Sequence, residues 1–180
     1  MIIRAMKHSA WLLSFGLIAI ALNGCNQRHT LRIGDTVEPV VLEDVYGKPM
    51  TLPGDVKGKV ALVRFWSIDC PLCCKEMIKA FESLYTKYKD KGFIPVGINV
   101  GHPDQTAEDY KKLKNVTYPL LTDPNYKVAR HFGVTGLPTT FILDQEGILR
   151  EKIVGETDFE SIEKLLTTVL YKGGFYENGY

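Results

Sequence analysis

Residues 60–77 read "VALVRFWSIDCPLCCKEM", and the fold is read outward from them. The first seven, 60–66, form a nearly continuous apolar run, the mark of a strand covered on both faces. Three cysteines follow within five positions, Cys70, Cys73 and Cys74. A helix is predicted from Pro71, because proline has no N–H to leave unpaired at a first helical position. Apolar residues then recur at Cys73, Met77, Ala80/Phe81, Leu84 and Tyr88, a helical stripe that Lys91-Gly92 ends. A strand running straight into a helix places the cysteines at a strand's carboxyl end, where open α/β sheets carry their sites.

Such a cluster admits a metal site, a structural disulfide, a peroxide-reducing thiol or a reversible redox pair. Cys70 stands where a helix N-cap would be, and the unpaired N–H groups and dipole of a helix start favour the anionic thiolate there. Cys73, three residues on, shares its helical face, so the pair lies within disulfide range without backbone movement. Cys73 heads the apolar stripe and is expected to be the buried, resolving thiol, with Cys70 the exposed attacker. Structural zinc needs four ligands, but no second cysteine pair exists, and His102 and His131 lie in unrelated segments. An odd number of clustered cysteines is also unlike a stapling framework.

The 180 residues suit one domain plus appendages, and a formal net charge of +1 makes no electrostatic case for nucleic acid as a partner. Arg4, Lys7 and His8 precede an apolar run over residues 10–22, too short for the roughly 20 residues of a spanning helix. It ends "LNGC" (22–25), which resembles a bacterial lipoprotein signal, with Asn23 where a small residue is more usual. Cleavage before Cys25 would expose that cysteine for acylation and place the chain outside the cytoplasm, tethered to a membrane. Residues 1–24 are therefore read as signal, 25–36 as polar tether, 37–172 as the folded domain and 173–180 as a loose tail. Downstream of the redox segment we expect a strand at 93–100, a helix at 104–115 and a short strand at 118–123. A helix at 125–134, a hairpin turning at Gln145-Glu146-Gly147 and a final helix at 158–172 capped by Asp158 complete the chain. Residues 38–59 suit an additional small hairpin.

"KGKVALVRFWSIDCPLCCKEM", "FIPVGINV" and "FGVTGLPTTFILDQEG" together resemble the TlpA/ResA-like thiol–disulfide oxidoreductases of the thioredoxin superfamily. The resemblance implies an α/β thioredoxin fold: a central mixed sheet with helices on both faces, an N-terminal β-hairpin and an inserted helix. It implies a membrane-tethered, extracytoplasmic protein-disulfide reductase of the cytochrome c maturation type. Its partners would be a protein disulfide substrate and an upstream thiol reductant; no cofactor or metal is expected. Cys70 and Cys73 match the redox pair, and Pro138 matches a proline that is cis in this superfamily, with Leu137 offering backbone to a substrate chain. Pro71 and Leu72 are further candidates for the substrate-facing wall, and Trp66 is read as a core or site-wall aromatic, a substrate-binding candidate in the second case. Glu76 matches an acidic residue of the ResA-like branch and, if partly buried, would exchange the proton of Cys73.

Two positions depart from the pattern. Asp69 stands where tryptophan is common, and Cys74 is extra, read here as a small buried hydrophobe. A carboxylate at Asp69, about 6–8 Å from the attacking sulfur, would oppose its thiolate by roughly 0.5–3 kcal/mol and make the couple more reducing. The rival readings are a Sco-like copper chaperone using Cys70, Cys74 and His131, and a peroxiredoxin-like peroxidase using Ser67 and Cys70. The peroxidase reading wants proline where Val63 stands. A tethered binding module without chemistry is disfavoured by the presence of Cys70, Cys73 and Pro138.

Overall fold

The computed structural model describes residues 31–71, 73, 75–101 and 110–172. The signal segment 1–24, residues 25–30 of the tether with Cys25, Leu72, Cys74, His102 and the tail 173–180 lie outside the described residues. Seven strands form one sheet: β1 (Val40–Asp44), β2 (Pro49–Leu52), β3 (Val60–Trp66), β4 (Phe93–Asn99), β5 (Leu120–Thr122), β6 (Thr139–Leu143) and β7 (Leu149–Val154). Their order is β2-β1-β5-β4-β3-β6-β7. Among the described residues three helices accompany them, α1 (Lys75–Tyr88), α2 (Lys127–His131) and α3 (Phe159–Lys172).

All seven residues of β3 are buried, as an apolar run of that length requires. The strand pairs in parallel with β4, from Val60 opposite Phe93 to Trp66 opposite Asn99, and antiparallel with β6. Alternation along β3 divides the core. Leu62 and Trp66 face α1 and α3, meeting Met77, Phe81, Ile162 and Leu166. Ala61, Val63 and Phe65 face the other layer, with Val128 and Phe132 of the α2 region. Helices thus cover both faces of the mixed sheet, as expected.

Local chemistry explains the element ends. Asp158 accepts from the Ser161 N–H at 2.8 Å, the expected cap of α3. Asp144 accepts from the backbone N–H of Glu146 and of Ile148, closing the β6–β7 turn around Gly147. Asp123, buried, accepts from the N–H groups of Lys127 and Ala129 and so begins α2. Gly97 has a packing reason: a Cβ there would lie 2.7 Å from Leu120 Cδ2 and 3.4 Å from Trp66 Nε1.

Two expectations change, and a third falls half outside the described residues. The helix predicted from Pro71 begins at Lys75, for a reason given below. The helix at 125–134 shrinks to Lys127–His131. Of the inserted helix at 104–115, residues 104–109 lie outside the described residues, and the remainder holds a single 3-10 turn at Lys111–Leu113. Among the described residues two X–Pro bonds are cis, the expected Leu137–Pro138 and also Leu52–Pro53.

Phe65, Phe132 and Phe141 meet with ring centroids 5.1–5.7 Å apart, and all three are fully buried. Phe141→Ala is expected to cost about 3–5 kcal/mol of stability, read from the shift of the guanidinium midpoint at constant slope.

Candidate redox site

The parallel strands β3, β4 and β5 all end at one edge of the sheet, and the antiparallel strand β6 begins there with Thr139 opposite Phe65. This topology gathers the cysteine loop, the Asn99 end of β4 and the Leu137–Pro138 bond at the same end. After β3 the chain turns twice. Cys70 N–H donates to the Ser67 carbonyl at 3.2 Å, and Cys73 N–H donates to the Cys70 carbonyl at 3.3 Å. These bonds span three residues, not the four of an α-helix. The regular helix therefore starts after the cysteines, and Cys70 sits in a turn instead of at the N-cap expected for it.

The two thiols are nonetheless brought together. Both are free, Cys70 partly accessible and Cys73 only 5% exposed. Cys73 packs in the α1/α3-side core with Trp66, Met77 and Phe81. Burial pushes its thiol up to about 12, and its side-chain hydrogen bond with Cys70 acts in the same direction. A backbone hydrogen bond from Ser67 and the positive charge of Arg64 pull it down. A protonated, buried donor thus faces an accessible sulfur.

The other candidates are placed as follows. Pro71 is exposed, Leu137 half-buried and Pro138 buried. Of the two readings of Trp66 the core one holds and the substrate-wall one is corrected: at 1% exposure it lies in the core beneath the loop, because the parity of β3 turns it toward α1. Glu76 is a further correction. It is exposed on the first turn of α1, not partly buried, a position in which the helix dipole favours a carboxylate. Asp69 is exposed, and its N–H donates to Ser67 Oγ at 3.3 Å. His131 is exposed at the end of α2.

Asn99 was not foreseen. Only 1% exposed, it accepts from the Ile68 N–H through Oδ1 at 2.8 Å and donates through Nδ2 to Tyr110 Oη at 2.7 Å. Its side chain ties the cysteine loop to the end of β4. An asparagine closing an apolar strand was the available signal, but its partner is 31 positions away. Asn99→Ala leaves the Ile68 amide without this acceptor; we expect a loss of about 1–3 kcal/mol and faster hydrogen exchange at Ile68. Unchanged exchange there would remove Asn99 from loop positioning.

Comparison with known proteins agrees with this geometry. The sequence profile of the AhpC/TSA family matches residues 33–152. The thiol-disulfide oxidoreductase ResA of Bacillus thuringiensis (strain Al Hakam) is 31% identical over 142 residues, covering 79% of this chain and 81% of that protein. Among solved structures, a putative thiol:disulfide interchange protein DsbE from Chlorobium tepidum superposes with a TM-score of 0.69 at 28% identity, covering 78% of this chain and 99% of the other. The exposed lipoprotein thioredoxin of Streptococcus pneumoniae strain TIGR4 superposes with a TM-score of 0.59 at 27% identity, covering 72% and 98%. The fold is that of the thioredoxin superfamily, and the chain belongs to the AhpC/TSA family as a thiol–disulfide oxidoreductase of the ResA kind.

Proposed function

We propose that Cys70 and Cys73 are the redox pair of a lipid-anchored, extracytoplasmic reductase of protein disulfides, of the cytochrome c maturation type. The observation that carries the pair is the juxtaposition of two free thiols in one turn, Cys73 N–H on the Cys70 carbonyl at 3.3 Å, with Cys70 accessible and Cys73 buried. In the reaction, the Cys70 thiolate attacks a substrate disulfide, forming a mixed disulfide and expelling one substrate thiolate. Cys73 loses its proton and attacks the Cys70 sulfur; the Cys70–Cys73 bond forms and the second substrate sulfur leaves as a thiol. Two electrons pass to the substrate, and an upstream thiol reductant restores the pair. Leu137 and Pro71 are proposed to contact the substrate chain, with Leu72 next to Pro71 in sequence.

The anchor reading rests on the basic start, the short apolar run and Cys25. Likeness to a pneumococcal protein described as an exposed lipoprotein thioredoxin supports it. Cytochrome c maturation rests on the ResA resemblance. Glu76, three residues beyond Cys73, is proposed to exchange the Cys73 proton with water. Asp69 is proposed to tune the couple toward giving electrons away.

In cells, Cys73→Ser should accumulate mixed disulfides on Cys70 that reductant releases, and Cys70→Ser should accumulate none. Peptide mapping of the oxidised protein is expected to find one Cys70–Cys73 bond; a Cys70–Cys74 bond would overturn the pair and favour the copper reading. The two carboxylates are separable by assay. Asp69→Asn should raise the reduction potential by about 10–30 mV in glutathione equilibration. Glu76→Gln should alter the pH–rate profile of disulfide release without changing the fold, and an unaltered profile returns Glu76 to an ordinary surface role.

A further inference from the structure

The chain enters the domain at the end of the sheet opposite the cysteine loop. β3 and β4 begin there, with Val60 opposite Phe93, and β6 ends there, with Leu143 opposite Ala61. The entering segment is joined to the β6–β7 turn. Gly34 N–H donates to the Leu149 carbonyl at 2.8 Å, Leu149 N–H to the Asp35 carbonyl at 2.9 Å and Val37 N–H to the Gly147 carbonyl at 3.0 Å. Residues 25–30 separate this entry from the described domain's first residue at Leu31, and fully extended they span no more than about 20 Å. The length of β3 places the cysteine loop about 20 Å away, on the far side of the sheet from the entry.

Two loops meet beside the entry. Val60 N–H donates to the Gly92 carbonyl and Gly58 N–H to the Gln145 carbonyl, each at 2.8 Å. Lys57 and Lys59 flank Gly58, Lys89 and Lys91 stand just before Gly92, and all four lysines are exposed. Lys91 Nζ lies 5.4 Å from the centroid of the Tyr88 ring and 5.7 Å from that of Tyr171, and it donates to Tyr171 Oη at 3.1 Å. Tyr171 is 59% exposed near the end of α3, and Ile33, within the entering segment, is 56% exposed. Lysines around an exposed tyrosine and an exposed isoleucine match a bilayer surface, which offers headgroup charge above hydrocarbon. Arg28 of the tether and Arg32 add charge of the same sign. The acids of this end are Asp35, Asp55, Asp90 and Glu146; Asp35 and Asp55 accept from the N–H groups of Arg32 and Thr51, and Glu163 is held by Lys87 at 2.7 Å. The redox end exposes the carboxylates of Asp69, Glu76, Asp158 and Glu160 beside Lys79 and Lys127. An anionic surface therefore favours the entry end.

We propose that the face formed by Lys57, Lys59, Lys89 and Lys91 with Tyr171 and Ile33 binds the anionic phospholipid surface in which Cys25 is anchored, and so keeps the cysteine loop turned toward solvent. This rests on the lipid-anchor reading of Cys25 and adds which face meets the bilayer. A tether of this length keeps the entry end within reach of the headgroups, and each lysine within a Debye length of an anionic surface is drawn to it. Without that attraction the domain would turn freely about its tether, and the cysteine loop would spend part of its time against the bilayer, closed to a protein substrate.

The test is acetylation of lysines by sulfo-N-hydroxysuccinimide acetate, read site by site by mass spectrometry, on the full chain expressed with its signal and reconstituted on vesicles. Vesicles of phosphatidylcholine alone are compared with an equimolar mixture of phosphatidylcholine and phosphatidylglycerol. Lys57, Lys59, Lys89 and Lys91 should react about fivefold more slowly on the mixed vesicles, and high salt should abolish the difference. Lys79 and Lys127, toward the redox end, should react equally on both. Lys57→Gln, Lys59→Gln and Lys89→Gln combined should remove the protection of Lys91 while leaving disulfide reduction in detergent unchanged. Equal rates on the two kinds of vesicle overturn the proposal and leave these lysines to an acidic protein. Slowing of Lys79 and Lys127 to the same degree also overturns it, because the bilayer then meets no preferred face. The mass of the Cys25 peptide tests the anchor separately. An unacylated Cys25 refutes the anchor reading alone if mixed vesicles added to that chain still protect the four lysines, and refutes both readings if they do not.

Discussion

Strand β3 has to be covered on both faces and along both edges, and the rest of the molecule is arranged to do so. β4 and β6 occupy its edges, α1 and α3 lie on one face, and the α2 region lies on the other. Every buried backbone N–H and C=O along such a strand must be paired, so its registers with β4 and β6 leave little freedom. Its last residue is consequently among the best-held points in the chain. The cysteine loop starts from that point, and thiol exchange, which tolerates little error in sulfur position, begins from a fixed frame.

Polar side chains buried around this end carry the frame into the loops. Asn99 holds the loop after β3, and its own carbonyl accepts from the Asp123 N–H at 2.9 Å. Asp123 in turn starts α2 with both carboxylate oxygens. Trp66 O accepts from the Val100 N–H at 2.7 Å, and Gly155 N–H donates to the Pro138 carbonyl at 2.8 Å. These bonds join the ends of β3, β4, β5 and β7 across one face of the fold. A buried polar group left unpaired is expensive, so the linkage resists distortion more than an apolar contact of the same size would.

The chemistry depends on making two neighbouring cysteines unequal. Their placement in a turn, with α1 beginning only afterwards, leaves Cys70 toward solvent and lets Cys73 enter the core with Met77 and Phe81. Burial then suppresses the Cys73 thiolate, while the Ser67 N–H and Arg64 oppose that suppression. In the proposed reaction, a balance of this kind would set which sulfur meets a substrate first and how readily the second closes the bond. The carboxylates of Asp69 and Glu76 lie on the solvent side, where screening weakens the influence of any charge.

Much of this was legible in the residues alone. The apolar run of β3, the stripe from Cys73 to Tyr88, the Asp158 cap and the turn around Gly147 are local patterns. They follow from periodicity and capping, which depend on neighbours a few positions away. The spacing of Cys70 and Cys73 belongs to the same class. Proline at position 71 was compatible with a helix start, but it was equally compatible with the turn that the Ser67 and Cys70 carbonyls form. The exposure of Glu76, the layer of the core that Trp66 enters and the partners of Asn99 and Arg64 were decided only by tertiary structure. Their partners lie far along the chain, Glu156 being 92 positions from Arg64 and Thr140 76. Whether a side chain is buried, and what charge it meets there, depends on which distant segments fold over it, and no local pattern carries that information.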